Sequence, residues 1–480
     1  MKHPMMHDVP EQGAEAAATL VKAGEFGKAL PLLLADLQAD PSDLQALDLT
    51  ATCYLQLGDG ETAAKLLELL LEKQPELPLI WCKLAAVHAT GGDSSSAARA
   101  YRQALRLAPG DVRILAAFNQ LETFARDSSH SDQLRAALQD ERTSKQERIT
   151  ACFALAKIED KADGTQAAFH YYSEANQLKD SGYDIAFQEQ RVQAQLAADW
   201  SGSHNEEGWN GPRILFVTGL PRSGTTLLET CLTQHSEVAS IGESDALSRT
   251  AAAIRKHAAV KSGDMGWWNW LGRLDREELQ QFRALFRRHA FGLAPPAEPV
   301  VIDKMPLNCF EMGLAKLLLP DAKFLFLSRH PLDAGLSNFT MNFAYGNRFA
   351  SKLEWIGHMT RCVYSSARDY QAKLGAALRV QSYEALATSP EEQLRQVLEH
   401  AGLAWEQGCL YPERNGRMVR TASLMQVRER IGTGALGKWR RYEAQLAPLR
   451  QALGGEDWIG QWQQWDRHAA DTGRFPLETA

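Results

Sequence analysis

Apolar positions in the first third of the chain recur at helical spacing and then recur again at a longer fixed interval. Ala29, Ala63 and Ala97 stand 34 apart, as do Leu33, Leu67 and Tyr101, then Leu37, Leu71 and Leu105. Gly24, Gly58 and Gly92 precede these columns and Pro41, Pro75 and Pro109 follow them in the same register. The pattern predicts helix pairs that turn at the glycine, press together at the small alanine and end at the proline. One such pair cannot bury its apolar face alone, so stacked neighbours share a core. The repeats lie near 16–49, 50–83 and 84–117. Beyond Pro109 the pattern decays: residues 126–145 are a polar variant repeat or insertion, and 151–178 predict an atypical helix pair turning near Asp163-Gly164. Helical character runs on from Tyr183 to about Asp199. The Gly/Ser/Asn-rich stretch 201–211 then marks a linker, separating an all-α region 1–200 from a second domain, 212–480.

In the second domain short apolar runs alternate with helical patterns. Strands are predicted at Ile214–Thr218, Pro299–Ile302, Lys323–Ser328 and Leu378–Ser382, with helices near 225–235, 308–319, 332–343 and 390–402. Such alternation predicts an α/β domain with a central parallel sheet, which binds ligands beyond the carboxyl ends of its strands. The first of these loops reads Gly219-Leu-Pro-Arg222-Ser223-Gly224-Thr225-Thr226 and runs straight into a helix. Strand, tight glycine loop and helix N-terminus together present N–H groups to an anion. The spacing is that of the nucleotide-binding P-loop, but Thr225 stands where that loop has lysine, and the cation sits earlier as Arg222. The loop suits a phosphate-like group and not ordinary triphosphate chemistry; the bland alternative is a strand–turn–helix corner with chance glycines.

Composition narrows the partners. The 480 residues carry a formal charge of −7 and a pI near 6.0, so a polyanion would need a local basic patch and bulk nucleic-acid binding is not expected. One such patch is residues 414–441, with eight Arg or Lys and only Glu429 as an acid; Gly432, Gly434 and Gly437 between the cations suggest a flexible anion clamp over a merely solvated face. The seven cysteines are scattered and never form a C-x-x-C pair, which argues for a reducing compartment and against a disulfide framework or a zinc site. The thirteen histidines also lack ligand spacing, and no metal is expected. The N-terminus lacks a signal-peptide core, so the expectation is a soluble, cytoplasmic protein without a membrane partner.

PRSGTT after a strand resembles the 5′-phosphosulfate loop of sulfotransferases that use 3′-phosphoadenylyl sulfate (PAPS), and the later motifs follow in that family's order. Gly242-Glu243 resembles the site of the catalytic base in tyrosylprotein sulfotransferases; the alternative is that Glu243 caps the next helix. DKMPLN at 303–308 resembles bacterial proteins that join tetratricopeptide repeats to a sulfotransferase domain, which implies that Lys304 supports the leaving phosphate; the alternative makes Asp303 and Lys304 a structural pair. SRHPLDAGLS at 328–337 resembles the 3′-phosphate motif, implying contacts from Arg329 and Ser337, with His330 as a packing or capping residue. Met341 stands where tyrosylprotein members carry another basic contact. Tyr383 in YEAL resembles a tyrosine lying against the nucleotide, with a core tyrosine as the alternative. In the closing loop Ser423 resembles the serine that assists the transition state and Lys438 a nucleotide-binding lysine; Arg420 is a weaker candidate.

The resemblance as a whole is to tetratricopeptide-repeat sulfotransferases. It implies in-line sulfuryl transfer from PAPS to a hydroxyl or phenol without a metal. Glu243, Lys304, Ser423 and Arg222 would be catalytic; Arg222, Ser223, Gly224, Thr225, Thr226, Arg329, Ser337, Tyr383 and Lys438 would bind the nucleotide. A tyrosine in a protein or peptide is the leading acceptor, bound by the repeat array, and a saccharide or small phenol the runner-up. The array is equally read as structural or as holding a homodimer. Trp267, Trp268 and Trp270 line an acceptor pocket or pack in the core. A P-loop kinase and a non-catalytic repeat scaffold are the rivals from other classes.

Overall fold

The structure is a computed structural model and describes residues 11–22, 24–179, 182–198, 209–262, 268, 274–292, 294–343, 346–414 and 430–476. Those up to Leu178 form one compact unit, and those from Lys179 onward form another.

The first unit is all helix. Among its described residues the pairs Glu11–Lys22 with Phe26–Ala39, Leu44–Leu57 with Gly60–Lys73, and Pro78–Gly91 with Ser94–Leu107 come first. Helices Val112–Leu121, Ser129–Gln139, Lys145–Lys161 and Thr165–Lys179 follow, so the polar stretch 126–145 carries a helix of its own. Gly58 and Gly92 end their helices at φ 99° and 92°, a conformation that an L side chain resists, and Asp59 and Asp93 then cap the next helix by accepting from Thr62 N–H and Ser96 N–H. Ala29, Ala63 and Ala97 are fully buried where paired helices meet.

The second unit is built on a parallel sheet. Among the described residues its strands are β1 Arg213–Gly219, β2 Val238–Gly242, β3 Val300–Lys304, β4 Lys323–Ser328 and β5 Leu378–Ser382, in the order β2-β3-β1-β4-β5. Strand β2 is an addition to the strands expected from sequence. The register pairs Val217 with Lys304 across β1 and β3 and Gly219 with Leu327 across β1 and β4, which brings the ends of these strands to one edge.

Both faces of the sheet are covered, as the near-continuous apolar strands require. Leu215, Val217, Ile302, Leu325 and Leu327 pack on Leu228, Leu232, Leu394 and Val397 from the helices Thr225–Leu232 and Pro390–Ala401. On the other face Phe216 stacks on Phe324, and Phe326 meets Tyr364 of the helix Leu353–Leu374 edge-on. The helix Gly455–Thr472 brings Trp462 to hydrogen-bond the Tyr364 hydroxyl.

The helix Ile185–Ala197 packs in this second unit, although the sequence reading places it ahead of the linker. Arg191 pairs with Glu311 at 2.7 Å and Gln195 donates to the Ser366 carbonyl. Most of the 201–211 linker, residues 201–208, lies outside the described residues. All seven cysteines are free thiols. Among the described residues no helix is long and apolar enough to cross a membrane.

Candidate active site

The loop after β1 turns sharply. Gly219 has φ 149°, Arg222 φ 71° and Gly224 φ 101°, so a non-glycine residue occupies the left-handed region in the middle of the turn. A Cβ on Gly219 would come 2.8 Å from the Leu327 carbonyl, and one on Gly224 would come 2.3 Å from Tyr383 Cδ2. These two glycines let the main chain lie against β4 and the ring of Tyr383. Thr225 and Thr226 are buried and open the helix Thr225–Leu232, whose first turn directs its N–H groups at the loop.

Residues after β4 hold the loop from behind. Arg222 Nε donates to Ser337 Oγ at 2.9 Å, Arg329 Nη1 donates to the Arg222 carbonyl at 2.7 Å, and Asn338 Nδ2 donates to the Pro221 carbonyl at 2.7 Å. The Arg329 guanidinium also lies 4.5 Å from the centre of the Tyr383 ring. Burial, and next the charge of Arg329, lowers the Arg222 pKa to about 10. Two cations drawn together and partly desolvated make a place for an anion. Ser223 Oγ and Arg329 Nε are buried beside the loop with no hydrogen-bond partner among the described residues. Unanswered donors next to a helix N-terminus fit a phosphate or sulfate group.

The segment 430–442 docks on the same helix start. Asp333 accepts from Gly437 N–H at 2.7 Å and Trp439 N–H at 2.9 Å, and Arg329 Nη2 donates to the Ala435 carbonyl at 2.9 Å. His330 caps the helix Pro331–Phe339 by accepting from Leu332 N–H, and its ring stacks on Trp439 with centroids 5.2 Å apart. It packs and caps, as its sequence position suggests; burial drives its pKa down to about 4. Lys438 is exposed in this segment. Ser423, Arg420, Trp267 and Trp270 lie outside the described residues. Trp268 is buried, with the Arg255 guanidinium 5.8 Å from its ring.

A second group assembles at the ends of β2 and β3. Lys304 is fully buried, and its Nζ lies 2.5 Å from Glu243 Oε1 and 3.6 Å from Glu229 Oε2. Glu243 keeps 45% of its side chain exposed. At the start of the next helix Ser244 Oγ accepts from Ala246 N–H. Asp303 is not the partner of Lys304; its Oδ1 accepts from Asn308 Nδ2, and burial, followed by Glu229, holds its carboxyl well above the usual range.

Sequence reasoning assigned no role to Glu229, Asp333 or Asn338. Glu229 stands four residues after Thr225, on the face of the loop helix that Thr225 occupies, which is a usable signal. Asp333 meets partners 104 and 106 residues later, and no spacing rule reaches that far.

Residues 212–407 match the model of the Sulfotransferase family. The match ends before the 430–442 segment. The chain is 29% identical over 413 residues to an uncharacterized protein of Aquifex aeolicus (strain VF5), covering 84% of this chain and 54% of that one. It is 25% identical over 301 residues to the protein-tyrosine sulfotransferase of Drosophila melanogaster, covering 57% of this chain and 58% of that one. The chain thus spans little more than half the length of these relatives. A solved sulfotransferase domain from the Synechococcus PCC 7002 olefin synthase aligns with a TM-score of 0.34 at 18% identity, over 49% of this chain and 90% of that one.

Proposed function

We propose that the second unit is a sulfotransferase that uses PAPS and moves its sulfuryl group to an acceptor hydroxyl or phenol. The observation that carries this reading is the pairing of Arg222 with Arg329 and Ser337 around the β1 loop, a short reach along the sheet edge from Lys304 and Glu243. PAPS, when bound, supplies a sulfuryl group on a phosphate oxygen and a 3′-phosphate as a second anion. Arg222, Ser223, Gly224, Thr225 and Thr226 are the residues for the phosphosulfate end. Arg329 and Ser337 are those for the 3′-phosphate, with Tyr383 against the nucleotide and Lys438 closing over it.

Glu243, the exposed carboxylate of its ion pair, takes the acceptor proton as the acceptor oxygen bonds to sulfur. Lys304 and Arg222, fixed cations in a largely buried pocket, face the charge left on the departing phosphate oxygen. Ser423 is assigned to the same transition state on sequence resemblance alone. Fixed cations carry the charge in this scheme, so it calls for no metal.

Tyrosine in a protein or peptide is the acceptor we favour, on the similarity to the Drosophila enzyme and on the helical unit. Its pairs begin 34 residues apart, at Leu44 and Pro78, which supports a tetratricopeptide-type array of the kind that holds peptides. The test is calorimetric titration with adenosine 3′,5′-bisphosphate, and separately with ATP and Mg²⁺, on the wild type and on Arg329→Ala. Bisphosphate binding that weakens at least 10-fold in the variant is expected. Binding of ATP–Mg²⁺ in its place would refute the reading and favour a kinase. Labelled PAPS with tyrosine peptides, saccharides and small phenols then sorts the acceptors.

A further inference from the structure

We propose that Glu229 is a positioning residue that offers Lys304 a second carboxylate, so that Glu243 can part from the lysine and accept a proton. The inference rests on the sulfotransferase reading and adds to it the residue that frees the base.

A carboxylate tied to an ammonium is a poor proton acceptor, because its partner stabilises the ionised form. At 2.5 Å, Glu243 is so tied. Lys304 cannot simply release it, since the ammonium is fully buried and an unpaired buried charge is strongly destabilised. Exchange therefore requires another anion already in place before charge gathers on the departing phosphate oxygen that Lys304 faces. Glu229 Oε2 is that anion, 3.6 Å from Nζ, on a side chain only 13% exposed.

The two carboxylates differ in how they are held. Ser240 Oγ donates to Glu229 Oε1 at 2.5 Å and accepts from Gly242 N–H at 2.9 Å. The register of β2 on β3 shifts between Ser240 and Gly242, and that irregularity turns the chain so that Ser240 meets Glu229 just before Glu243 emerges. Glu229 is thus anchored in the floor, while Glu243 stands at the rim. Glu229 also sits on the helix that opens with Thr225, so the loop that would hold the donor and the seat for the lysine belong to one rigid element.

The other charged side chains here do not supply the seat. Asp303 is fully buried and its Oδ1 accepts from Asn308 Nδ2, Asp245 is exposed beyond Glu243, and Arg222 carries the same sign as Lys304.

The test compares Glu229→Gln, Glu229→Asp and Ser240→Ala with the wild type. In Glu229→Gln, kcat for transfer from PAPS is expected to fall at least 10-fold, while acceptor KM and affinity for adenosine 3′,5′-bisphosphate stay within about 2-fold. Glu229→Asp should recover part of kcat, and Ser240→Ala should show a milder form of the Gln effect. Unchanged kcat in Glu229→Gln, or a Glu229→Asp variant no more active than Glu229→Gln, would overturn the second seat. So would a loss of kcat matched by an equal loss of bisphosphate affinity, which marks a merely structural role. If the wild type neither binds bisphosphate nor turns over PAPS, the sulfotransferase reading itself fails, and the inference with it.

Discussion

Gly224→Ala tests whether the loop after β1 has any room to spare. At φ 101° an L side chain resists the backbone conformation, at a cost of about 1–2 kcal/mol. The new methyl would also lie 2.3 Å from Tyr383 Cδ2 and 2.7 Å from Cε2, and overpacking of this kind costs about 1–3 kcal/mol. The expected loss of stability is about 2–5 kcal/mol, read as a shift in the urea midpoint at constant m-value. Tyr383 gives way more readily than the backbone, so its ring should leave the Arg329 guanidinium it now faces at 4.5 Å. Bisphosphate affinity should then fall about 10-fold, or about 1.4 kcal/mol. The double variant Gly224→Ala/Tyr383→Ala separates the two costs. Without the ring, Gly224→Ala should cost only its backbone part, giving a coupling of about 1–3 kcal/mol. An equal cost with and without the ring would refute the reasoning, because the clash would then play no part.

Two further outcomes are expected. Burial, and next Asp466, pushes the Glu384 carboxyl up to about 7, so the folded state holds that proton more tightly than the unfolded one. Its stabilising contribution is full below the ordinary carboxyl range and is lost as pH rises through about 7. The melting temperature should therefore fall from pH 6 to 8, and Glu384→Gln, whose carbonyl can still accept from His330 N–H, should flatten that slope; an unchanged slope rejects the assignment. Asp333→Ala removes both acceptors of the 430–442 segment, so limited trypsin digestion should cut faster after Lys438 and Arg440 and bisphosphate affinity should drop about 10-fold. Unchanged digestion would mean that Asp333 does not hold the segment.

How much of this could be read beforehand differs from one element to the next. Strands β1, β3, β4 and β5 were legible because both faces are buried, which leaves near-continuous apolar runs such as Lys323-Phe-Leu-Phe-Leu-Ser. Strand β2 escapes the same criterion: Val-Ala-Ser-Ile-Gly is short, half polar or small, and lies at the edge of the sheet. The tight turn after β1 was legible from glycine spacing, since the backbone conformations at Gly219 and Gly224 restrict those positions locally. The partnership of Arg222 with Ser337 was not, because it depends on β4 lying beside β1 in the sheet. The pair Lys304–Glu243 was named only as two separate residues, and its geometry follows from the order β2-β3-β1.

The docking of residues 430–442 on Asp333 and Arg329 bears on when the pocket comes into being. Every loop along the sheet edge precedes it in the chain, and the backbone of β5 is itself tied to a still later residue, Val380 N–H donating to the Gly473 carbonyl. During synthesis the loop after β1, Lys304 and Glu243 therefore emerge well before the segment that docks on Asp333 and Arg329. A nascent chain holds an open half-site, and the candidate site is complete only once residues 430–473 have left the ribosome and folded back.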